Sequence, residues 1–427
     1  MSLNRSLYLG LTGMNASSQQ LNIIGDNIAN MNTVGFKSSR GVFQEMLGQS
    51  IMGSAGISEM GGGTGLTAVE RMFNQGAILG TGVSTDLAIS GEGMFALKGD
   101  INGANGVFFS RAGQFHRDKE GFIANPAGLT LMGYMADGNG ILGSSLSELR
   151  VDDTPLPPKA TDAIELGVNL DPNQAAKTAP FDPLNPSETS EFSTSVTIYD
   201  TLGRAHEVHV FYDKDAAANT WSYSAQIDGA GLDPAVNGLV ELSSGPLNFT
   251  NGQIDLVPPP VFNLTFTPEG LAPQAVSLDM SKSTNISTNN PAGEGKSAQV
   301  SQSQNGSQAG TFQSLDINAD GEIIGTFSNG EQRLMGQVAL ARFRSTNGLS
   351  AVGGGLFAES IDSGSVILGA ANSGGRGTLV SHALEQSTVD LATEFANMII
   401  AQRGYQANSR SITTADQMMQ EAVNLKR

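Results

Sequence analysis

Apolar residues recur every seven positions at both ends of this 427-residue chain. The N-terminal row is Leu7, Met14, Leu21 and Ile28, flanked at three- and four-residue offsets by Leu11 and Ile24. The C-terminal row is Leu384, Leu391, Met398, Tyr405, Ile412 and Met419, with Phe395 four residues after Leu391. A seven-residue period keeps one helix face apolar and demands a second helix alongside. The spacing predicts one amphipathic helix over about 3–30 and a longer one running from about 384 to the C-terminus. At ~1.5 Å per residue these extend ~40 and ~60 Å, too far to fold back on a small core. Both ends of the chain are therefore expected to meet in one coiled coil.

The polar face of the first helix is unusual. Residues 1–31 hold only two charges, Arg5 and Asp26, and the remaining polar positions are amides and hydroxyls. Solvated helices normally carry Glu and Lys pairs. A neutral, amide-rich face suits packing against further copies. Gly10, Gly13 and Gly25 each weaken an isolated helix by ~1 kcal/mol relative to Ala. The segment is therefore expected to order only when neighbours supply its buried face.

Proline marks the chain's nesting. Fifteen of the 16 prolines lie between Pro155 and Pro291. Residues 150–308 also carry 19 acids against 7 bases. This block reads as an inserted, exposed β domain, with alternating strands at Phe192–Tyr199, Glu207–Tyr212 and Trp221–Ile227 and a turn at Leu202-Gly203. Eight Asn-Gly pairs, at 102, 105, 139, 237, 251, 305, 329 and 347, are turn signals. The glycine-rich stretch 48–66 reads as a flexible connector. The expected fold is α+β. Residues 1–31 with 381–427 form a helical inner core, 32–75 a connector, 76–149 with 309–380 a β core domain, and 150–308 an inserted outer β domain.

Composition excludes several functions. The net charge of −18 repels phosphate backbones and anionic bilayers, so neither nucleic-acid binding nor membrane insertion is expected. No stretch approaches the ~18–20 apolar residues of a membrane span. The N-terminus lacks the apolar core of a cleavable signal. Without cysteine there is no disulfide, thiolate metal site or thiol nucleophile. Asp316-x-Asn318-x-Asp320-Gly321 opens like a calcium loop, but Phe327 stands where a bidentate Glu belongs, so an Asx-held turn is expected instead. His206 and His209 lie three apart on a strand and point to opposite faces. The glycine run 61–65 lacks the Lys-Ser/Thr of a phosphate loop. No enzyme activity, cofactor or metal is expected.

Gly25-Asp26-Asn27-Ile28-Ala29-Asn30 followed by Asn32-Thr33-Val34-Gly35-Phe36-Lys37 resembles the N-terminal signature of bacterial flagellar rod and hook proteins. Gln402-Arg403-Gly404-Tyr405-Gln406-Ala407-Asn408, then Ile412 through Asp416-Gln417-Met418, is similar to that family's closing helix. Thr85–Gly91, Ser110–Phe115 and Gly336–Ala341 resemble its β core. The middle selects the hook branch: Thr197-Ile198-Tyr199-Asp200-Thr201-Leu202-Gly203, His206, Val208–Phe211 and Trp221 look like the hook's inserted domain. Gly404 departs from the pattern and leaves a local bend open.

The resemblance implies a structural subunit exported unfolded by the flagellar type III apparatus, without signal cleavage. Outside the cell it would polymerise into a curved, flexible tube passing torque to the filament. Implied partners are many copies of itself, the distal rod protein, the hook cap and the hook–filament junction proteins. The alternatives are a distal rod protein acting as a rigid drive shaft, and an adhesin or enzyme secreted by the same route.

Overall fold

The computed structural model describes residues 3–424 except 48–49, 54–55, 60, 102, 139, 176–181, 183–184, 216–219, 233, 256–257, 267–271 and 288–295. It divides into two compact units. Unit 1 comprises Met1–Asp152, Ser314–Gly325 and Arg333–Arg427; unit 2 comprises Asp153–Gln313 and Thr326–Gln332.

Unit 1 begins and ends in helices, α1 (Leu3–Ala29) and α2 (Leu391–Asn424). Asp390 starts α2, its carboxylate accepting the Thr393 N–H at 2.8 Å, and these bonds hold its carboxyl below the usual range. The helix therefore starts seven residues later than the heptad row suggests. Leu384 belongs instead to the short strand Ala383–Glu385, buried and paired antiparallel with Ile78–Gly80. Its spacing from Leu391 matches the helical row only by coincidence, because an extended segment and a cap intervene. Past Gly404, α2 continues without a break.

The expected flexible connector contains paired strands. Ser39–Glu45 and Thr64–Arg71 form an antiparallel arm, and Ser50–Gly53 pairs with Gly56–Glu59. Residues 48–49, 54–55 and 60 of that stretch lie outside the described residues. The glycines serve close approach here: a Cβ on Gly62 would stand 2.6 Å from the Met46 carbonyl oxygen. Entering and leaving segments also pair further in, with Leu87–Ser90 against Thr378–Ser381. The unit's main sheet runs in the order Gln332–Arg342, Thr130–Ala136, Met94–Ile101, Ala104–Ser110, Leu356–Ala358 and Ser350–Gly353, antiparallel throughout. Its buried faces hold Phe95, Leu97, Leu131, Leu340 and Phe109, with Phe95 edge-on to Phe115. Asn105-Gly106, expected as a turn, lies inside Ala104–Ser110.

Between helices and sheet sits a buried charge group. The Glu385 carboxylate, fully buried, accepts from Lys37 Nζ at 2.6 Å, Arg111 Nη1 at 3.3 Å and the Gly76 N–H at 2.8 Å. Lys37 also donates to the Asn74 carbonyl, and Arg111 to those of Ile89 and Gly91. Burial pulls both cations below their usual pKa values, against the opposing pull of Glu385. Gly35 lets the backbone enter this joint: its φ is +68°, and a Cβ there would collide with Arg111 and Ala112 backbone.

Unit 2 is a pair of sheets around one apolar core. The first is an antiparallel meander of Phe192–Tyr199, Ala205–Lys214, Thr220–Asp228, Leu239–Thr250 and Gln253–Ile254. The second runs Val261–Leu264, Gln274–Asp279, Ala163–Asn169, Ala298–Gln304, with one parallel pair. Ile164, Leu166 and Val168 of the second sheet share a cluster with Val196, Val208 and Trp221 of the first. Asp200 closes the Leu202-Gly203 turn, accepting the N–H groups of Leu202 and Arg204 and the Arg204 Nε, with His206 Nε2 at 3.3 Å. Burial alone would raise its pKa; the hydrogen bonds from Arg204, His206 and Leu202 outweigh that and hold it low.

Removing the Glu385 charge leaves two buried cations without an anion, so Glu385→Gln should destabilise unit 1 by ~3–5 kcal/mol. Amide exchange of the ladder between 78–80 and 383–385 measures this, and unchanged protection would refute it. For Asp200, a lowered native pKa means stabilisation present above the unfolded pKa of ~3.9 and lost as pH falls through the native value. Asp200→Asn should cost unit 2 ~1–3 kcal/mol at neutral pH and flatten its acid dependence. Trp221 is the chain's single tryptophan, so its fluorescence during urea unfolding at several pH values reports both effects.

Candidate assembly surface

The two helices pack antiparallel. Asn27 meets Glu394 at 2.9 Å, while further along Ser17 faces Gly404, Gly13 faces Asn408 and Gly10 faces Ile412. Approach is close because the central row is small. A Cβ on Gly10 would lie 2.7 Å from Ile412, and one on Gly13 2.6 Å from Asn408. Ala16, Ile24, Ala401 and Ala415 are buried on the same line. The glycines that weaken α1 in isolation thus let it nest against α2.

The apolar heptad rows flank this line. Leu7, Met14, Leu21 and Ile28 of α1 are half-buried, as are Leu391, Met398, Ile412 and Met419 of α2. Leu11, Phe395 and Tyr405 point away from the pair and are exposed, Phe395 by 49% and Tyr405 by 42%. Sequence periodicity missed their companions Tyr8, Leu9, Ile399, Ile400 and Met418, also exposed. The signal lay in the adjacent Ile399-Ile400 pair, which no single stripe accommodates. Large apolar side chains thus line both the edges and the outside of a two-helix pair, an arrangement that invites further helices.

The family-signature residues divide by place. Asn27, buried, accepts the Ser39 N–H and donates to the Ser39 carbonyl and to Glu394, pinning the end of α1 to the arm and to α2. Asn30 donates back to the Asp26 carbonyl, and Thr33 donates to Asn30. Gly35 and Lys37 are buried at the charged joint, Phe36 is half-buried beside them, and Ala29 is exposed. In α2, Asn408 packs on Gly13, whereas Gln402 and Arg403 are exposed beside Tyr405.

Asn318 holds the Asp316–Gly321 turn, its side-chain oxygen accepting the N–H groups of Asp320 and Glu322. His206 stacks on Phe266 at 4.2 Å. Among the described residues no group of three or more His, Asp or Glu is placed to hold a metal ion, and no helix is long and apolar enough to cross a membrane.

Comparison with known proteins points one way. The family described as flagellar basal body protein FlaE D2 domain matches residues 169–335, the flagellar basal body rod FlgEFG protein C-terminal family 380–425, and the flagella basal body rod protein family 7–37. The flagellar hook protein FlgE of Salmonella typhimurium is 33% identical over 99% of this chain and 100% of its own length. That of Borreliella burgdorferi is 32% identical over 99% of both chains. A crystal structure of a Helicobacter pylori flagellar hook protein shares the fold at a TM-score of 0.50 and 16% identity, covering 72% of this chain and 100% of that one. One-third identity sustained from end to end, with the helical termini and inserted domain each matched separately, means that the chain belongs to the flagellar hook protein FlgE family.

Proposed function

We infer that this chain is the self-polymerising subunit of the bacterial flagellar hook, a structural protein without catalytic activity. Many copies form a curved, flexible extracellular tube that passes motor torque to the filament. The observation that carries the reading is the apolar face left over when the two helices have paired: Leu11 and Tyr8 on α1, Phe395, Ile399 and Tyr405 on α2. Burial of apolar surface yields ~25 cal/mol per Å², so several such side chains per copy drive lateral association.

The division of labour follows from the chain's nesting. Residues 1–31 with 381–427 line the inside of the tube, 76–149 with 309–380 form a middle layer, and the acidic block 150–308 lies outermost. Polar, hydrated contacts between outer blocks slide and re-form as each strand of the tube lengthens and shortens in rotation. The subunit reaches its place unfolded through the type III export apparatus. Its tube ends meet the distal rod protein, the hook cap and the hook–filament junction proteins.

Phe395→Asp should leave the α1–α2 pair intact, permit export and block polymerisation, because the side chain is exposed within one copy. Leu391→Asp and Leu21→Asp, at half-buried positions, should block it as well. Exported protein in the medium together with electron micrographs of the cells checks both, and hooks of normal length on Phe395→Asp cells would refute the reading. Deleting 150–308 should leave a straight or stiff tube. Curved tubes of normal shape from that deletion would count against the sliding outer contacts.

A further inference from the structure

Unit 1 carries a groove walled on one side by Asn22, Ile23 and Asp26 of α1 and floored by the edge of the sheet core. Two adjoining cavities, of about 450 and 240 Å³, share Phe73 and Thr346 as walls. Their floor is apolar, with Met94, Phe343 and Phe357 beside Phe73. Their charged rim is mainly basic, in a chain of net charge −18. Arg342 is held by Glu92 and Arg111 by Glu385, which leaves two others. Arg71 rests over the Phe357 ring at 5.0 Å, and Arg344, exposed, has no hydrogen-bond or ion-pair partner among the described residues.

The complement of this groove stands on the same molecule. Ile361 is fully exposed, at 100%, the most exposed large apolar side chain among the described residues. Glu359 and Asp362 flank it, exposed and with carboxylates unpaired among the described residues. The loop is held in shape rather than left slack. Ser360 Oγ accepts the N–H groups of Asp362 and Ser363 and donates to the Gly348 carbonyl, and Ser363 Oγ donates to the Ser360 carbonyl. An isoleucine presented between two carboxylates on a braced loop has already lost the entropy that binding would otherwise remove.

We propose that the Glu359–Asp362 loop of one copy docks in the Arg71–Arg344 groove of a second copy, Ile361 on the aromatic floor and the two carboxylates against the two guanidiniums that no carboxylate holds among the described residues. This rests on the assembly reading above and adds a specific contact to it. The placement suits a polymer. Thr346 and Asn347 line the groove, while the next residue, Gly348, backs onto the loop so closely that a Cβ there would lie 2.4 Å from the Asp362 carbonyl carbon. Knob and groove are thus neighbours on either flank of one turn and are different surfaces. Contact between unlike surfaces is heterologous and leaves one of each open, so it repeats into a ring or, where the rotation does not close, into a helical polymer.

The chain's lack of cysteine makes a direct test available. Full-length Ile361→Cys and Thr346→Cys proteins, each a single-cysteine chain, are mixed, polymerised and oxidised. Both positions are at the surface of the loop or groove, and circular dichroism checks that each variant folds. Mixed disulfide dimers are the expected product. Polymer without mixed dimers overturns the docking and leaves the assembly reading standing, and Ile361→Cys homodimers alone overturn it in favour of a two-fold contact between loops. Failure of the cysteine-free parent to polymerise overturns the assembly reading and the docking with it. As a second arm, Arg344→Glu should slow polymerisation by about tenfold through like-charge repulsion, and adding Asp362→Arg to the same chain should restore it. No slowing, or slowing without rescue, counts against the contact.

Discussion

One buried carboxylate organises the place where the helices meet the sheet. Glu385 lies one residue beyond Leu384 in the last short strand before α2, Lys37 follows α1, and Arg111 comes from the end of a core strand. Three segments far apart in sequence therefore share one anion out of contact with solvent. Desolvating three charges is expensive, and only close pairing with full hydrogen bonding compensates. Here Lys37 also donates to the Asn74 carbonyl, and Arg111 to those of Ile89 and Gly91. Such a group tolerates little relative displacement, because each ångström of separation exposes a charge to a poor environment. For a subunit under torsion, this is a stiff joint between the helical ends and the β core.

The helix pair uses a different principle. Its centre is built from Gly10, Gly13, Ala16, Ala401 and Ala415, which bury little apolar area but bring the backbones close. Close approach gains dispersion contacts along both helices and keeps the pair in register, since Gly10 faces Ile412 and Gly13 faces Asn408. The larger apolar residues are displaced to the edges and the outside. A pair centred on leucines would satisfy itself as a dimer; one centred on glycine and alanine leaves its leucines and aromatics for other copies.

Much of this was legible in the sequence where the pattern is local. Strict alternation in Phe192–Tyr199 gave that strand to the residue, because its burial alternates over most of its length. The Asp316–Gly321 turn was readable from the geometry its side chains prefer, and Asn318 holds it by accepting the N–H groups of Asp320 and Glu322, while Phe327 lies buried in the core. The charged joint was not legible, since Lys37 and Glu385 are 348 positions apart and ionic partners carry no periodic signal. The glycine-rich stretch 61–65 misled for another reason. Composition cannot distinguish glycines that loosen a chain from glycines that let it pass close to Met46 and Thr12.

The heptad rows show where a one-partner reading of periodicity falls short. A coiled-coil template assigns the apolar row to the contact line and the offset row to its support. Here the contact line of α1 contains Gly10, Ser17 and Ile24, three residues on from Leu7, Met14 and Leu21, and residues such as glycine and serine are invisible to an apolar count. The rows that periodicity does detect therefore straddle the pair, with Phe395 and Tyr405 on its outer side. Apolar residues spread over that much of a helix circumference exceed what one antiparallel neighbour covers. The helix surfaces are built for more than one partner, and a single copy of the chain supplies only the first.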